Sequence, residues 1–521
     1  MNRRDAMKLA AGAAIAGVSG VAAGSSTQDM DELPLCSRWD VYEISLQGPA
    51  AGNPFVDVTV AAEFIKGART VHVDGFYDGD GNYKVRWMPD ETGDWEWIVK
   101  SSAKEMDGKR GNMECTKGRW QDLELVEGQP LEPKREKNHG PVSVTERFHF
   151  RYADGTRFFP FGTTCYAWVF ESERLQEATL ANLAKYGFNK VRMCIMPKVF
   201  AAGEPERHPF PMVNGKLDFT RFDPEFFRHF EERVRDLSDL GIQADVILFH
   251  PYGKPWGYDQ MPKDVNERYV RYVVARLASL HNVWWSLANE YDLLKTWTME
   301  EWDHMFRVIQ EADVSSHLRS VHHSGPMYDY AKPWCTHASL QVYDFDKVSE
   351  WKKAWGKPIL FDEVMYEGNI WRRWGNLTGE EMTRRVWMVV SAGAYCTHGE
   401  VIAVKGSKDG VSADGGPMLG ESPARIAFLR KIVEEMGEGL EAVDGAYYRS
   451  AMGGGGKAIL YYFDFHRPEN YPFPLPEGAT YRAELIDPWA MTVTPVPGTF
   501  HGKSDITLSG RPYQAVRFMR I

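Results

Sequence analysis

The sequence predicts an α/β protein: a (β/α)8 TIM barrel with a smaller all-β module on each side. Three observations carry this reading. From Phe148 onward, apolar runs of strand length alternate with helical patterns. Before and after that stretch the pattern is strand-like, with turn residues in place of helices. Two apolar runs in the middle, Val283–Leu287 and Ile359–Phe361, lead into Glu290 and Glu363. Acids at the C-terminal ends of buried parallel strands occupy the end of a barrel where its chemistry is kept. At 521 residues the chain is too long for one core, so two or three domains are expected.

Taken in order, residues 1–26 read as an export signal. Asn2-Arg3-Arg4-Asp5-Ala6-Met7-Lys8 precedes an apolar stretch from Leu9 to Ala23, and Val21-Ala22-Ala23 offers a cleavage site. Adjacent arginines give it a twin-arginine character, although Asn2 precedes the pair and Ala6 stands where Phe is common. The stretch falls short of the ~20 residues a comfortable membrane span needs. An exported protein, periplasmic or extracellular and without stable membrane insertion, is expected. Residues 33–125 form the first β module, where Val56–Val60 and Tyr83–Trp87 alternate apolar and polar. Asp78-Gly79-Asp80-Gly81-Asn82 reads as a hairpin turn rather than a calcium loop, because Tyr83 stands where that loop needs glycine. Residues 126–147 are a polar linker.

The barrel is assigned to residues 148–438. Its candidate strands are Phe158–Gly162, Lys190–Met193, Ala244–Phe249, Val283–Leu287, Arg319–His322, Ser339–Val342, Ile359–Phe361 and Ala394–Thr397. Asp223-Pro224 opens a helix that Gly241 closes. After a helix near Ser422–Met436, residues 439–521 form a small β-sandwich with a tight turn at Gly453–Gly456.

A net charge of −11 argues against a nucleic-acid partner. Aromatic content of 13% fits large cores and also sugar sites, where the C–H face of a ring packs on an apolar plane. Of six cysteines, Cys165, Cys194, Cys335 and Cys396 lie in or beside barrel strands; Cys36 and Cys115 sit near opposite ends of the first module, and their pairing is left open. No CxxC or HExxH spacing calls for a metal, and no cofactor is expected.

Val283-Trp284-Trp285-Ser286-Leu287-Ala288-Asn289-Glu290 and Lys357-Pro358-Ile359-Leu360-Phe361-Asp362-Glu363 together resemble the clan of retaining glycosidases on (β/α)8 barrels, clan A. There an Asn-Glu pair ends the fourth strand and a second Glu the seventh. The resemblance covers roughly residues 150–435. It is strongest to the apiosidase-like group, whose members carry a small immunoglobulin-like sandwich ahead of the barrel, and residues 33–125 look like that sandwich. It implies a glycoside hydrolase with Glu290 as acid/base and Glu363 as nucleophile. The substrate would be a carbohydrate, from plant or algal cell-wall polysaccharide. Asn289 would meet the sugar's 2-hydroxyl, Arg192 at the end of the second strand would hold the nucleophile ionised, and Tyr343 would be the sixth-strand tyrosine that hydrogen-bonds it. His250, His398 and Glu400 are rim candidates, and Glu367 is a rival acid. Asp362 should alternate to the opposite face of the strand. Trp168, Trp256, Trp297 and Trp371 lie in βα loops, and two of the four are expected to stack on sugar. The clan's frequent eighth-strand tryptophan is missing from Ala394–His398. Two alternatives remain: a catalytically silent carbohydrate-binding barrel, and a lyase or esterase on the same polymers, the esterase without a Gly-x-Ser-x-Gly elbow. The oligomeric state is left unassigned.

Overall fold

The computed structural model describes residues 33–117, 138–199, 205–405, 412–437, 439–443 and 445–521. The predicted export signal and residues 126–137 of the predicted linker lie outside them. Among the described residues no helix is long and apolar enough to cross a membrane.

The N-terminal unit pairs a five-stranded sheet with a three-stranded one. Phe64, Val85, Trp87, Trp95, Val99 and Met113 fill the space between. The Asp78–Asn82 turn is a hairpin joining Phe76–Tyr77 to Asn82–Trp87, with Gly79, Asp80 and Gly81 all at positive φ. Val56–Val60 is not a strand. Pro54 starts a helical turn over Pro54–Asp57, and the ladder begins only at Val60. Cys36 and Cys115 stand opposite each other on parallel strands, both as buried free thiols.

The second unit holds the barrel and the C-terminal β module. Its eight parallel strands are β1 (Phe161–Thr164), β2 (Lys190–Cys194), β3 (Gln243–Phe249), β4 (Val283–Ala288), β5 (Arg319–Ser320), β6 (Ala338–Leu340), β7 (Ile359–Phe361) and β8 (Tyr395–His398). Ladders join β5 through β4, β3, β2, β1, β8 and β7 to β6, and one bridge between His322 and Ser339 closes the ring. The first strand begins later than its sequence suggests. Pro160 has no N–H for a ladder, so Arg157–Phe158 pairs instead with His149–Tyr152 in a separate three-stranded sheet. That sheet plugs the N-terminal end of the barrel, with Phe150 and Phe158 against Trp284. Between β5 and β6 no helix forms among the described residues. Tyr330 braces the connection there, its hydroxyl within reach of the Val321 carbonyl at 2.9 Å and the Ser339 carbonyl at 2.6 Å. The Pro224–Asp239 helix starts as read from sequence, with the Asp223 carboxylate accepting from Glu225 N at 2.9 Å.

The C-terminal module is a six-stranded sheet with a two-stranded one, closed over Tyr461, Phe463, Phe473 and Phe518. Gly454, Gly455 and Gly456 turn the hairpin between Arg449–Gly453 and Ala458–Tyr462 at positive φ. It rests on the Gly379–Ser391 helix, where Trp387 packs on Tyr462 and Arg384 bonds Asp464 at 2.9 Å. A cavity of about 500 Å³ opens at the N-terminal strand ends, lined by Arg157, Asn189, Gln243 and Asn282. None of the candidate site residues borders it.

The barrel interior is ionic as well as apolar. Lys190 Nζ sits 2.6 Å from Asp245 and 2.8 Å from Asp362, while Arg192 reaches Asp362 at 3.2 Å and Asp245 at 3.5 Å. Ser339 and Thr397 hydroxyls donate to Asp362 at 2.6 and 2.7 Å. Burial alone would raise the Asp362 carboxyl, but Lys190 and Arg192 outweigh it and hold it well below the usual range. Removing one member leaves an uncompensated buried charge. Lys190→Met should therefore cost about 3–5 kcal/mol of unfolding free energy, read by denaturant titration, and a loss under about 1 kcal/mol would mean the quartet is not energetically coupled.

Candidate active site

Glu290 follows Asn289 at the end of β4. Its φ of 51° is left-handed, a conformation that stores strain in a non-glycine residue and clusters at functional sites. The backbone is pinned on both sides: Asn289 N–H donates to Phe249 O at 2.9 Å and Tyr291 N–H to His322 O at 3.0 Å. Arg192 Nη2 donates to Asn289 Oδ1 at 2.8 Å, so the asparagine is fixed by the same guanidinium that enters the ionic quartet.

Glu363 reaches the interior by a different device. The Asp362 and Glu363 N–H groups both point to Leu340 O, at 3.0 and 3.2 Å. Sharing one carbonyl breaks strand alternation, as a bulge does. Asp362 therefore does not turn to the outer face as the alternation predicts. Both acids face inward, Asp362 into the quartet and Glu363 above it.

Gln341, just past β6, stands between the two glutamates. Its Nε2 donates to Glu363 Oε1 at 3.1 Å, while its Oε1 is buried without a hydrogen-bond partner among the described residues. Two tyrosines meet the other side of Glu363. The Tyr166 hydroxyl lies 3.5 Å from Oε2 and 2.9 Å from the Tyr366 hydroxyl, which also bonds Glu363. Tyr166 is held by N–H donation to Ala413 O at 2.7 Å. Lys198 Nζ lies 4.8 Å from the centre of the Tyr166 ring and pairs with buried Asp414 at 2.5 Å.

The electrostatics separate the pair. Burial first, then the charge of Glu363, pushes Glu290 up to about 8. Burial also raises Glu363, but Tyr366, Arg192, Lys198 and Tyr166 all pull it back. Both carboxyls are thus raised, but only Glu290 also carries the repulsion of its neighbour's charge among its main causes. A carboxylic acid protonated near neutral pH beside a hydrogen-bonded carboxylate is the equipment for acid–base and nucleophilic chemistry at one bond.

The residues 144–400 match the apiosidase-like catalytic domain. A Bacteroides vulgatus protein provisionally assigned as a glycoside hydrolase shares 36% identity with a TM-score of 0.86, over 94% of this chain and 100% of its own. The chain belongs to the apiosidase-like family. Flanking the family's catalytic domain, residues 36–102 and 448–519 match two domains of unknown function, DUF5060 and DUF5605. A family 5 glycoside hydrolase from Bacteroides vulgatus has the same fold at 14% identity and a TM-score of 0.57, over 73% of this chain and 94% of that one. A further structure titled glycoside hydrolase matches at 15% identity and a TM-score of 0.58, covering 73% and 97% of the two chains. No curated protein matches.

In this apiosidase-like barrel several sequence-named residues sit elsewhere than expected. Arg192 contacts Asn289 and the quartet, and it acts on Glu363 through space rather than as its ion-pair partner. The hydroxyls on Glu363 are those of Tyr166 and Tyr366. Tyr343 is 43% exposed at the rim, beneath the Arg385 guanidinium. His250 has both ring nitrogens engaged by backbone, at Met196 O and Tyr252 N. Trp168 is fully buried, and Trp297 is stacked on Trp302 at 4.1 Å. Trp256 is half-buried against His208, and Trp371 alone of the four is widely exposed.

Glu367, His398 and Glu400 come together with one ligand atom each within 4.8 Å. The carboxylates are already committed to a run of amides. Glu400 accepts from Leu419 and Gly420 N–H, both at 2.7 Å, and Glu367 from Glu421 and Ser422 N–H at 2.7 and 3.0 Å. They anchor the N-terminus of the Ser422–Glu435 helix. His398 Nδ1 bonds Thr163 at 2.9 Å. Sequence reasoning passed over Gln341, Tyr166, Tyr366 and Lys198. The usable signal was position, since Gln341, Tyr166 and Tyr366 lie within three residues of a barrel strand's end or of a named acid.

A raised Glu290 has a thermodynamic signature. Its unfolded pKa is about 4.3 and the folded state disfavours the charged form, so its stabilising contribution is full below about pH 4.3 and is lost as pH rises through about 8. Glu290→Gln removes the titration. Its melting temperature should fall less than that of the parent between about pH 5 and pH 9. Parallel melting curves across that range would mean Glu290 is not raised.

Proposed function

We propose that the protein is an exported retaining glycoside hydrolase acting on plant or algal cell-wall polysaccharide or its oligosaccharides. One observation carries the reading: two buried glutamates stand at the ends of β4 and β7, Glu290 pushed up by burial and by the charge of Glu363, and Glu363 met by the Gln341 amide and the Tyr166 hydroxyl. The apiosidase-like membership supports a carbohydrate substrate.

In this mechanism Glu290 gives its proton to the glycosidic oxygen as the bond breaks. Glu363, freed from part of its hydrogen bonding with Tyr166, Tyr366 and Gln341, bonds to the anomeric carbon. The leaving sugar departs as an alcohol. Glu290, now ionised, takes a proton from water, whose oxygen attacks the same carbon and releases Glu363. Asn289, held by Arg192, presents its amide to a hydroxyl of the sugar at the cleavage point.

Glu290→Gln and Glu363→Gln should each lose on the order of 10³-fold in kcat while remaining folded, since acid–base catalysis alone contributes about 10²–10⁴. Near-normal turnover in either would remove it from the mechanism. NMR of the first-formed product should show the starting anomer, and a fluoro-sugar trap should label Glu363; an inverted product would point to water as the direct nucleophile. Export by the twin-arginine route is tested separately, with the precursor carrying Arg3→Lys and Arg4→Lys expected to stay in the cytoplasm.

A further inference from the structure

The loop that leaves β7 exposes Trp371, Arg372, Arg373 and Trp374 in succession. Trp371 is 84% exposed and Trp374 40%. Large aromatic surface is seldom left open on a soluble protein without a ligand for it. Arg372 lies over the Trp371 ring at 4.8 Å, and among the described residues neither the Arg372 nor the Arg373 guanidinium has an ion pair or hydrogen bond. Elsewhere the chain is acidic, with a net charge of −11, so two adjacent unneutralised guanidiniums form a local exception.

The segment is held firmly at its base. Tyr366 N–H donates to Trp374 O at 2.8 Å, Leu377 N–H to Tyr366 O at 3.1 Å and Gly368 N–H to Leu377 O at 3.0 Å. Asn369 clamps Ala403 through both ends of its amide, at 3.0 and 2.8 Å. Ile370 packs into the cluster of Tyr166, Tyr366 and Val401. Trp374 meets Tyr366 edge-on at 5.3 Å, and Tyr366 bonds Glu363. A rigid cationic–aromatic shelf thus stands one ring contact from the candidate nucleophile.

We propose that Trp371–Trp374 is a subsite for a uronate residue of an acidic glycan. This rests on the glycosidase reading and names its substrate class. A pyranuronate stacked by its C–H face on an indole carries its carboxylate at the ring edge, in reach of a neighbouring guanidinium. A planar carboxylate matches the guanidinium fork in two parallel hydrogen bonds. Neutral sugars would use the tryptophans alone.

The test measures binding on the full chain carrying Glu363→Gln, so that turnover plays no part. The probes are polygalacturonate, the same polymer fully methyl-esterified, and a sulfated galactan. Polygalacturonate should bind about tenfold more tightly than the ester, from one well-placed charge-assisted contact worth about 1.4 kcal/mol. Arg372→Gln with Arg373→Gln should abolish that preference, and Trp371→Ala should weaken both polymers while leaving the melting temperature unchanged. Equal affinity for acid and ester, no binding of either, or indifference to all three substitutions overturns the subsite. Tighter binding of the sulfated galactan overturns the uronate assignment. If polygalacturonate binding behaves as expected and the parent protein cleaves no glycan, the shelf stands and the hydrolase reading falls.

Discussion

Two cations and two anions are sealed within the barrel, and the remaining site geometry hangs from their neutralisation. Lys190 and Arg192 enter on β2, Asp245 on β3 and Asp362 after β7, so the quartet ties three strands that ladder bonds alone would not hold in this orientation. Because Arg192 is committed at one end to Asp362, its other end fixes Asn289 and with it the backbone that turns Glu290 inward. Desolvating four charges is expensive, and their mutual pairing returns that energy only while all four are present. The arrangement behaves as one unit.

Above the quartet, the two glutamates differ in what surrounds them rather than in depth. Glu363 is met by hydroxyls and an amide, which suit an anion. Glu290 gains the repulsion of Glu363 on top of its own burial. The same residue type therefore meets two different surroundings a short distance apart, and Gln341 belongs to those of Glu363. Lys198 adds a cation whose partner Asp414 comes from the segment after β8, so the potential at the carboxylates depends on a loop far away in sequence.

How far the sequence reached follows from what periodicity encodes. Buried parallel strands are continuous apolar runs, so Val283–Ala288 and Ile359–Phe361 were visible, and with them the acids at their ends. Short β5 and β6 were visible only as faint runs. Pro160 moved the start of β1, and Pro54 turned a strand-like pattern into a helical turn; both are local backbone effects that alternation does not register. Asp362 was misdirected because one carbonyl, Leu340 O, serves two N–H groups. Tyr343 was placed by analogy, whereas the hydroxyls at Glu363 come from Tyr166 and Tyr366, which belong to loops and leave no periodic trace. Burial decided the tryptophans: Trp168 and Trp371 have the same loop setting in sequence, and opposite exposure in the fold.

The kink at Leu340 O bears on how such a site is transplanted. Anyone moving the Asp-Glu pair to another barrel by copying residue identities onto a regular strand would deliver one acid to the lumen and the other to the helical layer. What has to be copied is a backbone irregularity together with its acceptor on the neighbouring strand. In a protein library, single-residue insertions or deletions in this short segment would exchange the two acids' surroundings, handing the buried cations to one and the amide and hydroxyl donors to the other.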